Sequence, residues 1–440
     1  MALHILRDLG EGLIVRRATT ADSDTLAALN GEIFEPIIGA TVGRIARGES
    51  AIGSIESFTV VEDTATGAIV SSLGLFSLRV TYAGIPLAVG LPDYVLTRPA
   101  YRRRGLVRAQ FSIIHEWSAA RGDLMQIIQG IPSYYRQFGY EYAIEHDAAQ
   151  IGTFADVPPL AEGQAEPYRL CPATPDDLPV VARIADAAER RYLIARHRDD
   201  AYWRALFQRI AAGSPTAPRT LTIEDSDGAL VGFVRHNAVA TGDQLTVLDY
   251  EVLPGHSWFA VTPTVLRYLR AVAAHLDTPA TRFVLDLGGG HPAYQVMREH
   301  ARPIPPSAWY VRVPDLPRLL NHIAPVLEAR LAALALTNHT GDVTISFYNT
   351  GLRLTFDHGR ITAAPWRPIA ASSEGSFSLA GDGSNVSFPG NVFVQLLCGY
   401  RNLDDLEYAY ADCGHDTDQT HGLLDALFPR AVSHISSRTA

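Results

Sequence analysis

The stretch from Tyr94 to Trp117 constrains the fold of this chain more than any other part of its sequence. A short apolar strand at 91–97 is followed by the loop RRRG at 102–105 and then, from Leu106, by apolar residues at helical spacing. A strand that enters a helix through such a tight loop is typical of mixed α/β proteins. The exposed N–H groups at the start of this helix predict an anion site, which the helix dipole strengthens.

The composition of the loop favours phosphate as that anion. Gly105 lets the backbone come close to a phosphate group. The side chains of Arg102, Arg103 and Arg104 can neutralise a polyphosphate. A solvated run of arginines at a helix start is the alternative interpretation of the same residues.

The elements up to about residue 150 are predicted in the order β-α-β-β-β-α-β-α-β. Ala83 and Gly84 form a tight hairpin turn between two of the strands. Residues 154–167 are rich in proline and polar side chains, which predicts a linker. We therefore expect a first domain over residues 1–153 and an α/β (α+β) multidomain fold with mixed sheets. The first strand contains Ile14 and Val15, and the first helix carries Leu26 and Leu29. The later predicted strands are 57–62, 69–82, 91–97, 124–130 and one from Tyr140, and the later predicted helices are 106–120 and 132–138.

A second domain, residues 168–308, repeats this order. The opening YRLCPATPDDLPVVARIAD resembles LIVRRATTADSDTLAALN of the first domain, and LTVLDYEVL at 245–253 takes the place of LPDYVLT. Residues 309–440 predict a third, α+β domain with a helix at 315–335, short strands and late helices.

The amino-acid composition excludes several kinds of chemistry. All 37 basic residues are arginine, so Schiff-base lysines and a P-loop lysine are ruled out. The net charge of −10 argues against a nucleic-acid partner and suits a cationic small molecule. Three widely separated cysteines indicate neither a disulfide framework nor a zinc knuckle, and no other cluster suggests a metal.

The expected location is the cytoplasm. The N-terminus has no basic segment followed by a long apolar run, so we expect no signal peptide. No uncharged apolar stretch is long enough to span a membrane, and a membrane partner is not expected.

The motif Arg102-x-x-Gly105-x-Val107 resembles the (Q/R)-x-x-G-x-(G/A) pyrophosphate loop of the GNAT superfamily of N-acetyltransferases, which transfer the acetyl group of acetyl-CoA to amines. Val107 departs from the pattern, in which Gly or Ala is usual. The segment PSYYRQFGYE is similar to a second motif of that superfamily, and Tyr135 falls on the position of the tyrosine that protonates the leaving thiolate. The resemblance implies that acetyl-CoA is held by Val95, Leu96, Thr97, Arg102, Arg103, Arg104, Gly105, Leu106, Val107 and Arg108.

Over nearly its whole length the chain resembles the "enhanced intracellular survival" family of acetyltransferases. The motif RRRGL, the FGY ending and the late run FVQLLCGYRNLDDL followed by LLDALFP carry this likeness. The family plan implies one GNAT domain, a degenerate second copy that does not bind coenzyme A, and a C-terminal domain like sterol-carrier protein. It also implies an aminoglycoside- or polyamine-like acceptor and a homo-oligomer, from dimer to hexamer.

Amine acetylation also requires a base, because a protonated amine cannot attack a thioester. Asp93 is our first candidate: it lies two residues before Val95, so both side chains are expected on one face of the strand. The family likeness adds the C-terminal carboxylate of Ala440, although the tail lacks an aromatic anchor. His115 and His146 are interpreted as surface or capping residues without an assigned partner.

Three other functions stay open. VLDLGGGHP at 284–292 resembles the glycine-rich loop of S-adenosylmethionine-dependent methyltransferases, but the short helix PAYQVMREH and the following RPIPP argue against their doubly wound fold. The third domain could carry a lipid in a tunnel, or Val392, Phe393, Leu396 and Leu397 could simply form a core helix. A non-catalytic acyl-CoA-binding protein is favoured by Val107 and opposed by Tyr135.

Overall fold

Three β-sheets organise the chain, and two of them take strands from distant parts of the sequence. The computed structural model describes residues 5–50, 52–146, 148–213, 217–334, 336–368 and 382–435. A first unit holds the described residues up to Ile144 together with Trp309–Ala431, and a second unit holds Glu145–Ala308 with the described residues from Val432. The mixed α/β multidomain class is confirmed, whereas the predicted domain boundaries stay predictions.

The N-terminal segment contains the long hairpin that the sequence predicts. Its turn residues Ala83 and Gly84 have φ angles of 46° and 89°, and Tyr82 pairs directly with Ile85. Both φ values lie in the region that a two-residue hairpin turn requires. The first strand and second helix were not predicted. The elements are β1 (Ile5–Gly10), β2 (Leu13–Arg17), α1 (Ser23–Ile33), α2 (Pro36–Ala46), β3 (Phe58–Asp63), β4 (Ala68–Tyr82), β5 (Ile85–Thr97), α3 (Leu106–Arg121), β6 (Met125–Ile128) and β7 (Glu141–His146).

The middle segment begins with a short strand and a helix, as the sequence predicts, and the repeat of the first domain stays a prediction. It also contains elements that we did not expect, among them β10 and α5. Its elements are β8 (Gln150–Thr153), β9 (Arg169–Pro172), α4 (Leu178–Glu189), β10 (Ile194–Arg196), α5 (Asp200–Ala211), β11 (Arg219–Glu224), β12 (Leu230–His236), β13 (Gln244–Val252), α6 (Trp258–Ala274), β14 (Arg282–Leu285), α7 (Pro292–Val296) and β15 (Ala301–Pro303). The sheet order is β15-β8-β14-β13-β12-β11-β9.

The glycine-rich stretch of this segment does not have a doubly wound arrangement. Helix α7 spans only Pro292–Val296, and the next strand, β15, runs antiparallel to β8. A nucleotide-binding crossover needs a full helix and a parallel strand. The fold of the second unit therefore opposes the methyltransferase interpretation.

The C-terminal segment adds a third sheet, in the order β19-β18-β17-β20-β21. The predicted strand at 375–380 lies outside the described residues. Val392, Phe393, Leu396 and Leu397 are buried, as expected for a core helix. The elements are β16 (Ser307–Arg312), α8 (Leu316–Ala333), β17 (Gly341–Ser346), β18 (Gly351–Asp357), β19 (Arg360–Trp366), β20 (Val386–Ser387), α9 (Phe393–Leu397), α10 (Leu403–Ala409), β21 (Gly414–His415) and α11 (Asp418–Leu427).

The first of these strands, β16, lies in the sheet of the N-terminal segment. That sheet runs β1-β2-β3-β4-β5-β6-β16-β7, so β16 separates two strands that are near neighbours in sequence. Tyr310, Val311 and Arg312 pair antiparallel with β6. Helix α3 packs Phe111 and Ile114 into the apolar core of this sheet.

No helix in the described part of the chain combines the length and the apolar character needed to cross a lipid bilayer.

Helices α1 and α2 pack so closely that Gly39 cannot carry a side chain. A Cβ atom at Gly39 would lie 2.6 Å from the carbonyl oxygen of Ala27 and 2.8 Å from the Cα atom of Gly31. Both atoms belong to the backbone and cannot move aside. We expect Gly39→Ala to destabilise the protein by about 1–3 kcal/mol, measured by urea unfolding, because the two helices must separate.

Gly422 provides the matched control, since it also lies in a helix but has open space around its Cα atom. Gly422→Ala should stabilise the protein by about 0.5–1 kcal/mol through helix propensity alone. Equal effects of the two substitutions would contradict the proposed packing.

Candidate active site

The predicted site lies where strands β5 and β6 separate. These parallel strands share two register pairs, Val89 with Met125 and Gly90 with Gln126, and the described residues show no further pairing between them. From that point β5 continues to Thr97, with ladder partners on β4. The backbone groups of β5 that face β6 are therefore left without a strand partner, and the two strands border a cleft.

A bulge shapes the β5 side of this cleft. The register with β4 shifts between Ser72 and Gly74, and Tyr94 has a φ angle of 52°. The centre of the Tyr94 ring lies 6.2 Å from that of Phe58 and 5.6 Å from that of Phe76. An inserted residue interrupts the alternation of side chains along a strand. Spacing alone therefore does not establish that Asp93 and Val95 lie on one face of this strand, and their shared face stays a prediction.

Asp93 nevertheless has properties that suit a base. Its side chain is half-buried, and one carboxylate oxygen accepts a hydrogen bond of 2.7 Å from the amide of Tyr94. Burial raises the pKa of Asp93 from 3.8 to about 6, and that hydrogen bond opposes the shift only in part. A carboxylate with this pKa accepts a proton more readily than an exposed one.

Tyr135 lies in a 3₁₀ turn, Tyr134–Phe138, with its ring buried. Phe111 and Tyr310 contact the ring edge-on at 5.8 Å and 5.4 Å. The described residues offer no hydrogen-bond partner to its hydroxyl group. Burial raises the pKa of Tyr135, and the negative charge of Asp93 raises it further. The two predicted catalytic residues are thus electrostatically coupled.

Gly130 explains why the Tyr135 ring can occupy this position. A Cβ atom on Gly130 would lie 2.9 Å from the ring and 3.1 Å from the Tyr135 hydroxyl oxygen. Only glycine leaves room for the hydroxyl group beside the end of β6.

The predicted cofactor loop has the backbone conformation that an anion site needs. Arg103 and Gly105 have left-handed φ angles of 64° and 75°, and no side chain caps the start of α3. The first N–H groups of the helix therefore lack side-chain partners within the protein. A Cβ atom on Gly105 would contact nothing within 4 Å, so it is the backbone conformation that favours glycine here.

The arginine side chains in and beside the loop differ in whether they already bind a partner within the protein. Arg104 forms an ion pair of 2.5 Å with Glu11, and Arg108 donates to Gln137 at 2.7 Å. Arg102 makes a long hydrogen bond of 3.4 Å to the carbonyl oxygen of Thr97. Arg103 is exposed and has no partner among the described residues. Among the described residues, Arg102, Arg103 and Arg108 therefore have no carboxylate partner, and Arg103 has no side-chain partner of any kind.

Other predicted cofactor residues can contribute through their backbone. Leu96 and Leu106 are buried in the core. Val95 and Val107 are half-buried and pack against the cluster that includes Tyr135. Thr97 forms a hydroxyl contact of 2.9 Å with Ser71. Their predicted role in holding a cofactor stays a prediction.

Both histidines differ from their interpretation as surface or capping residues. His115 Nε2 lies 3.1 Å from the Tyr140 hydroxyl, which donates to Gln126 at 2.6 Å. Burial, with help from the charge of Arg312, lowers the pKa of His115 to about 4. His146 is buried and contacts the Ser307 hydroxyl at 3.0 Å.

The sequence analysis missed Tyr310 and Arg312, which β16 places beside β6. Tyr310 contacts Tyr135 and stacks on Tyr142 at 3.9 Å. The alternating run SAWYVRV before the third domain was the available signal for a strand, but nothing local indicated its neighbours in the sheet.

Two further predictions are not tested by the structure. Ala440 lies outside the described residues. The expected absence of a metal stays a prediction, because two groups of side chains have ligand atoms close enough together to hold an ion. One is Asp186, Glu189 and His197, and the other is Asp404, Glu407 and His421.

Comparison with known proteins agrees with this geometry. Residues 15–143 match the family model described as an acetyltransferase (GNAT) domain. This part of the chain is therefore similar to a GNAT acetyltransferase domain. The match includes the cleft, the loop before α3 and Tyr135, and it ends before the second unit begins. No curated protein sequence matches the chain significantly.

Solved structures match almost the entire chain in fold. A GCN5-related N-acetyltransferase from Anabaena variabilis has 13% identity and a TM-score of 0.67, covering 96% of this chain and 99% of its own. A probable N-acyltransferase from Enterococcus faecalis has 13% identity and a TM-score of 0.69, covering 97% and 99%. Eis1 from Mycobacterium abscessus has 16% identity and a TM-score of 0.60, covering 97% and 100%. At sequence identities this low, the structural similarity shows a shared fold alone.

The raised pKa of Asp93 predicts a pH-dependent effect of Asp93→Asn. The unfolded chain gains the negative charge near pH 4 and the folded protein only near pH 6, so the wild type loses stability across this interval. Above pH 6 we expect Asp93→Asn to be more stable than the wild type by about 1–3 kcal/mol. Urea unfolding from pH 4 to 8 measures the difference.

Asp22 is a control because its pKa is shifted in the opposite direction to that of Asp93. Burial would raise the pKa of Asp22, but the hydrogen bonds from Arg16 and Thr19 more than offset this and lower it. Asp22→Asn should therefore be less stable than the wild type, and the deficit should shrink as the pH falls below 4. A stability difference for Asp93→Asn that does not change with pH would refute the raised pKa.

Proposed function

We propose that the chain transfers the acetyl group of acetyl-CoA to a primary amine of a small, polycationic acceptor by direct attack. The observation that carries this proposal is the edge of β5 that stays unpaired where β5 separates from β6. The same segment of the chain contains the uncapped start of α3, and Asp93, which follows on β5, acts electrostatically on Tyr135. A strand edge, an anion site and an acid–base pair are the parts that acyl transfer from a coenzyme A thioester needs.

The residues fit acetyl-CoA as the acyl donor, which GNAT domains use as co-substrate. The unpaired edge of β5 at Val95–Thr97 offers backbone groups to the amide-rich arm of the donor. The N–H groups at the start of α3, with Arg102 and Arg103, offer positive partners for its pyrophosphate.

Two side chains of this chain would move the protons. Asp93, with a pKa of about 6, accepts the proton that the attacking ammonium group must lose, directly or through a water molecule. The amine nitrogen bonds to the thioester carbon, the carbon–sulfur bond breaks, and Tyr135 donates its hydroxyl proton to the departing sulfur. The nitrogen loses its second proton to solvent, and solvent returns a proton to the Tyr135 oxygen. Because its pKa is raised, Tyr135 stays protonated at neutral pH until that step.

The nature of the acceptor is inferred from the net charge of the chain and from its likeness to one acetyltransferase family. The net charge of −10 favours a cationic ligand. The likeness in sequence plan to the "enhanced intracellular survival" family, and the fold shared with Eis1, support an aminoglycoside- or polyamine-like amine, a C-terminal domain like sterol-carrier protein and a homo-oligomer. These features are part of the proposal.

The role of Tyr135 predicts a selective kinetic defect. Tyr135→Phe should lower kcat by about 10²-fold while leaving the Kd for acetyl-CoA unchanged, because only proton donation to sulfur is lost. Thiol release with a panel of polyamines and aminoglycosides measures kcat, and calorimetry measures Kd.

Tyr134→Phe, one residue away in the same turn, is the matched control and should keep normal turnover. Normal turnover in Tyr135→Phe would refute the assignment, and a failure of the wild type to release thiol with any amine would favour the non-catalytic alternative.

The loop arginines predict a defect in the binding of acetyl-CoA and not in turnover. Arg103→Gln should raise the KM for acetyl-CoA roughly three- to tenfold with kcat nearly unchanged, because an ionic contact to the donor is removed from ground state and transition state alike. Arg47→Gln, at an exposed arginine paired with Glu49, is the control and should alter neither parameter. An unchanged KM in Arg103→Gln would remove this arginine from the donor site.

A further inference from the structure

Two histidines and three carboxylates meet at one place in the C-terminal segment. Asp404 and Glu407 lie on α10, His415 is the last residue of β21, and His421 and Asp425 lie on α11. One ligand atom each of Asp404, Glu407 and His421 lies within 4.8 Å of the others. None of these residues belongs to the candidate active site. Imidazole nitrogen and carboxylate oxygen are common zinc ligands in proteins, so the cluster has the chemistry of a metal site.

Packing and capping fix the two helices that carry the three ligand atoms. The two carboxylate residues of α10 are three positions apart, so their side chains lie on one face of that helix. Leu406 on α10 and Leu424 on α11 are buried. The side chains of Asn402 and Thr417 accept hydrogen bonds from backbone amides at the starts of α10 and α11. A site on two packed helices holds its ligands more precisely than a site on loops.

The imidazole ring of His421 lies between two carboxylates. Its Nε2 atom is 2.8 Å from Asp404 Oδ1, and its Nδ1 atom is 3.5 Å from Asp425 Oδ2. A histidine that binds a metal through one ring nitrogen usually presents the other nitrogen to a carboxylate, which fixes the orientation of the ring. Asp425 is placed for this supporting role, and Nε2 of His421 is the nitrogen available to an ion.

The second histidine supports Glu407 in a similar way. Its Nδ1 atom, on His415, lies 2.5 Å from Glu407 Oε1. The centre of the His415 ring lies 4.9 Å from that of His421. Carboxylates that bind a metal are themselves held by hydrogen bonds. His415 therefore orients the Glu407 side chain and leaves its second oxygen, Oε2, for an ion.

The cluster contains more acidic than basic groups. Its three carboxylates are paired with two histidines, which together carry at most two positive charges. Within the described part of the chain, no arginine forms an ion pair with Asp404, Glu407 or Asp425. A divalent cation would neutralise this excess of negative charge, and no guanidinium group has to be displaced first.

The other group of histidine and carboxylate side chains lacks this property. Arg198 forms an ion pair of 2.9 Å with Glu189, and Arg190 forms one of 3.3 Å with Asp186. Both carboxylates beside His197 are therefore already neutralised by guanidinium groups. A cation there would compete with two positive charges, so the cluster on α10 and α11 is the better metal site.

We infer that Asp404, Glu407 and His421 bind a zinc ion, with His415 and Asp425 as positioning residues. Three protein ligands with a water molecule in the fourth position form a common tetrahedral zinc site. Bonds of about 2.1 Å hold such ligand atoms about 3.4 Å apart, so these side chains need to shift by only about 1 Å. Zinc takes the place of the proton that His421 shares with Asp404 and links α10 to α11.

This inference departs from the expectation, drawn from the sequence, that no metal is bound. It does not depend on the function proposed for the first domain, because it concerns other residues and its test needs no acetyl-CoA.

Calorimetric titration of the full-length protein with zinc chloride tests the inference. The protein is used without a histidine tag and is first dialysed against a chelator. Magnesium chloride is the reference, because magnesium prefers a shell of oxygen ligands. We expect saturable binding of one zinc ion per chain, and zinc should raise the midpoint of thermal unfolding.

Two substitutions remove ligands of the proposed site. Asp404→Asn and His421→Gln should each weaken zinc binding at least about tenfold and abolish the thermal shift. The Asp404 side chain is 74% exposed, so Asp404→Asn keeps the fold and provides the test if His421→Gln does not fold.

His358→Gln is the matched control, because His358 is an exposed histidine that contacts a carboxylate, Asp357, at 2.7 Å. It should bind zinc as the wild type does, and so should His197→Gln in the other group. Zinc binding no stronger than magnesium binding, binding that survives both Asp404→Asn and His421→Gln, or binding that is lost in His197→Gln would overturn the inference.

Discussion

The separation of β5 from β6 is the constraint on which the candidate active site depends. Each strand is held by its other neighbour: β5 by the long hairpin with β4, and β6 by its antiparallel pairing with β16. Because these partners fix the two strands independently, the parallel pairing stops after two residues on each strand. The free edge of β5, the start of α3 and the Tyr135 hydroxyl then all border one cleft, where a thioester and an amine could meet without displacing protein hydrogen bonds.

Asp93 and Asp249 show that the local environment of an aspartate determines the direction of its pKa shift. Asp93 and Asp249 occupy corresponding strands, yet burial raises the pKa of Asp93 while two arginines lower that of Asp249. The first carboxyl group is suited to accept a proton near neutral pH, and the second remains a fixed charge within an ion-pair network. The same residue type thus belongs to a candidate catalytic centre in one unit and to a buried ion-pair network in the other.

Many of the elements near the site could be predicted because their signals are local. The hairpin turn at Ala83-Gly84 follows from turn chemistry, and α3 follows from the spacing of apolar residues after Gly105. The bulge at Tyr94 could not be predicted, because an inserted residue in a strand leaves no periodic signal. Helix α2 was missed although its apolar face and its proline at the start are visible in the sequence, which shows how easily a short helix between a helix and a strand is overlooked.

The sequence by itself determined the strand–loop–helix unit, the position of Tyr135 after it and the repeat of the first domain, since each depends on residues close together in the chain. Only the tertiary structure decided that β16 lies beside β6, that His115 contacts Tyr140 and that two arginines form ion pairs with Asp249. The physical reason is that periodicity and turn preferences act over a few residues. Strand order, burial and the resulting pKa shifts depend on contacts between residues far apart in sequence, which local patterns do not encode.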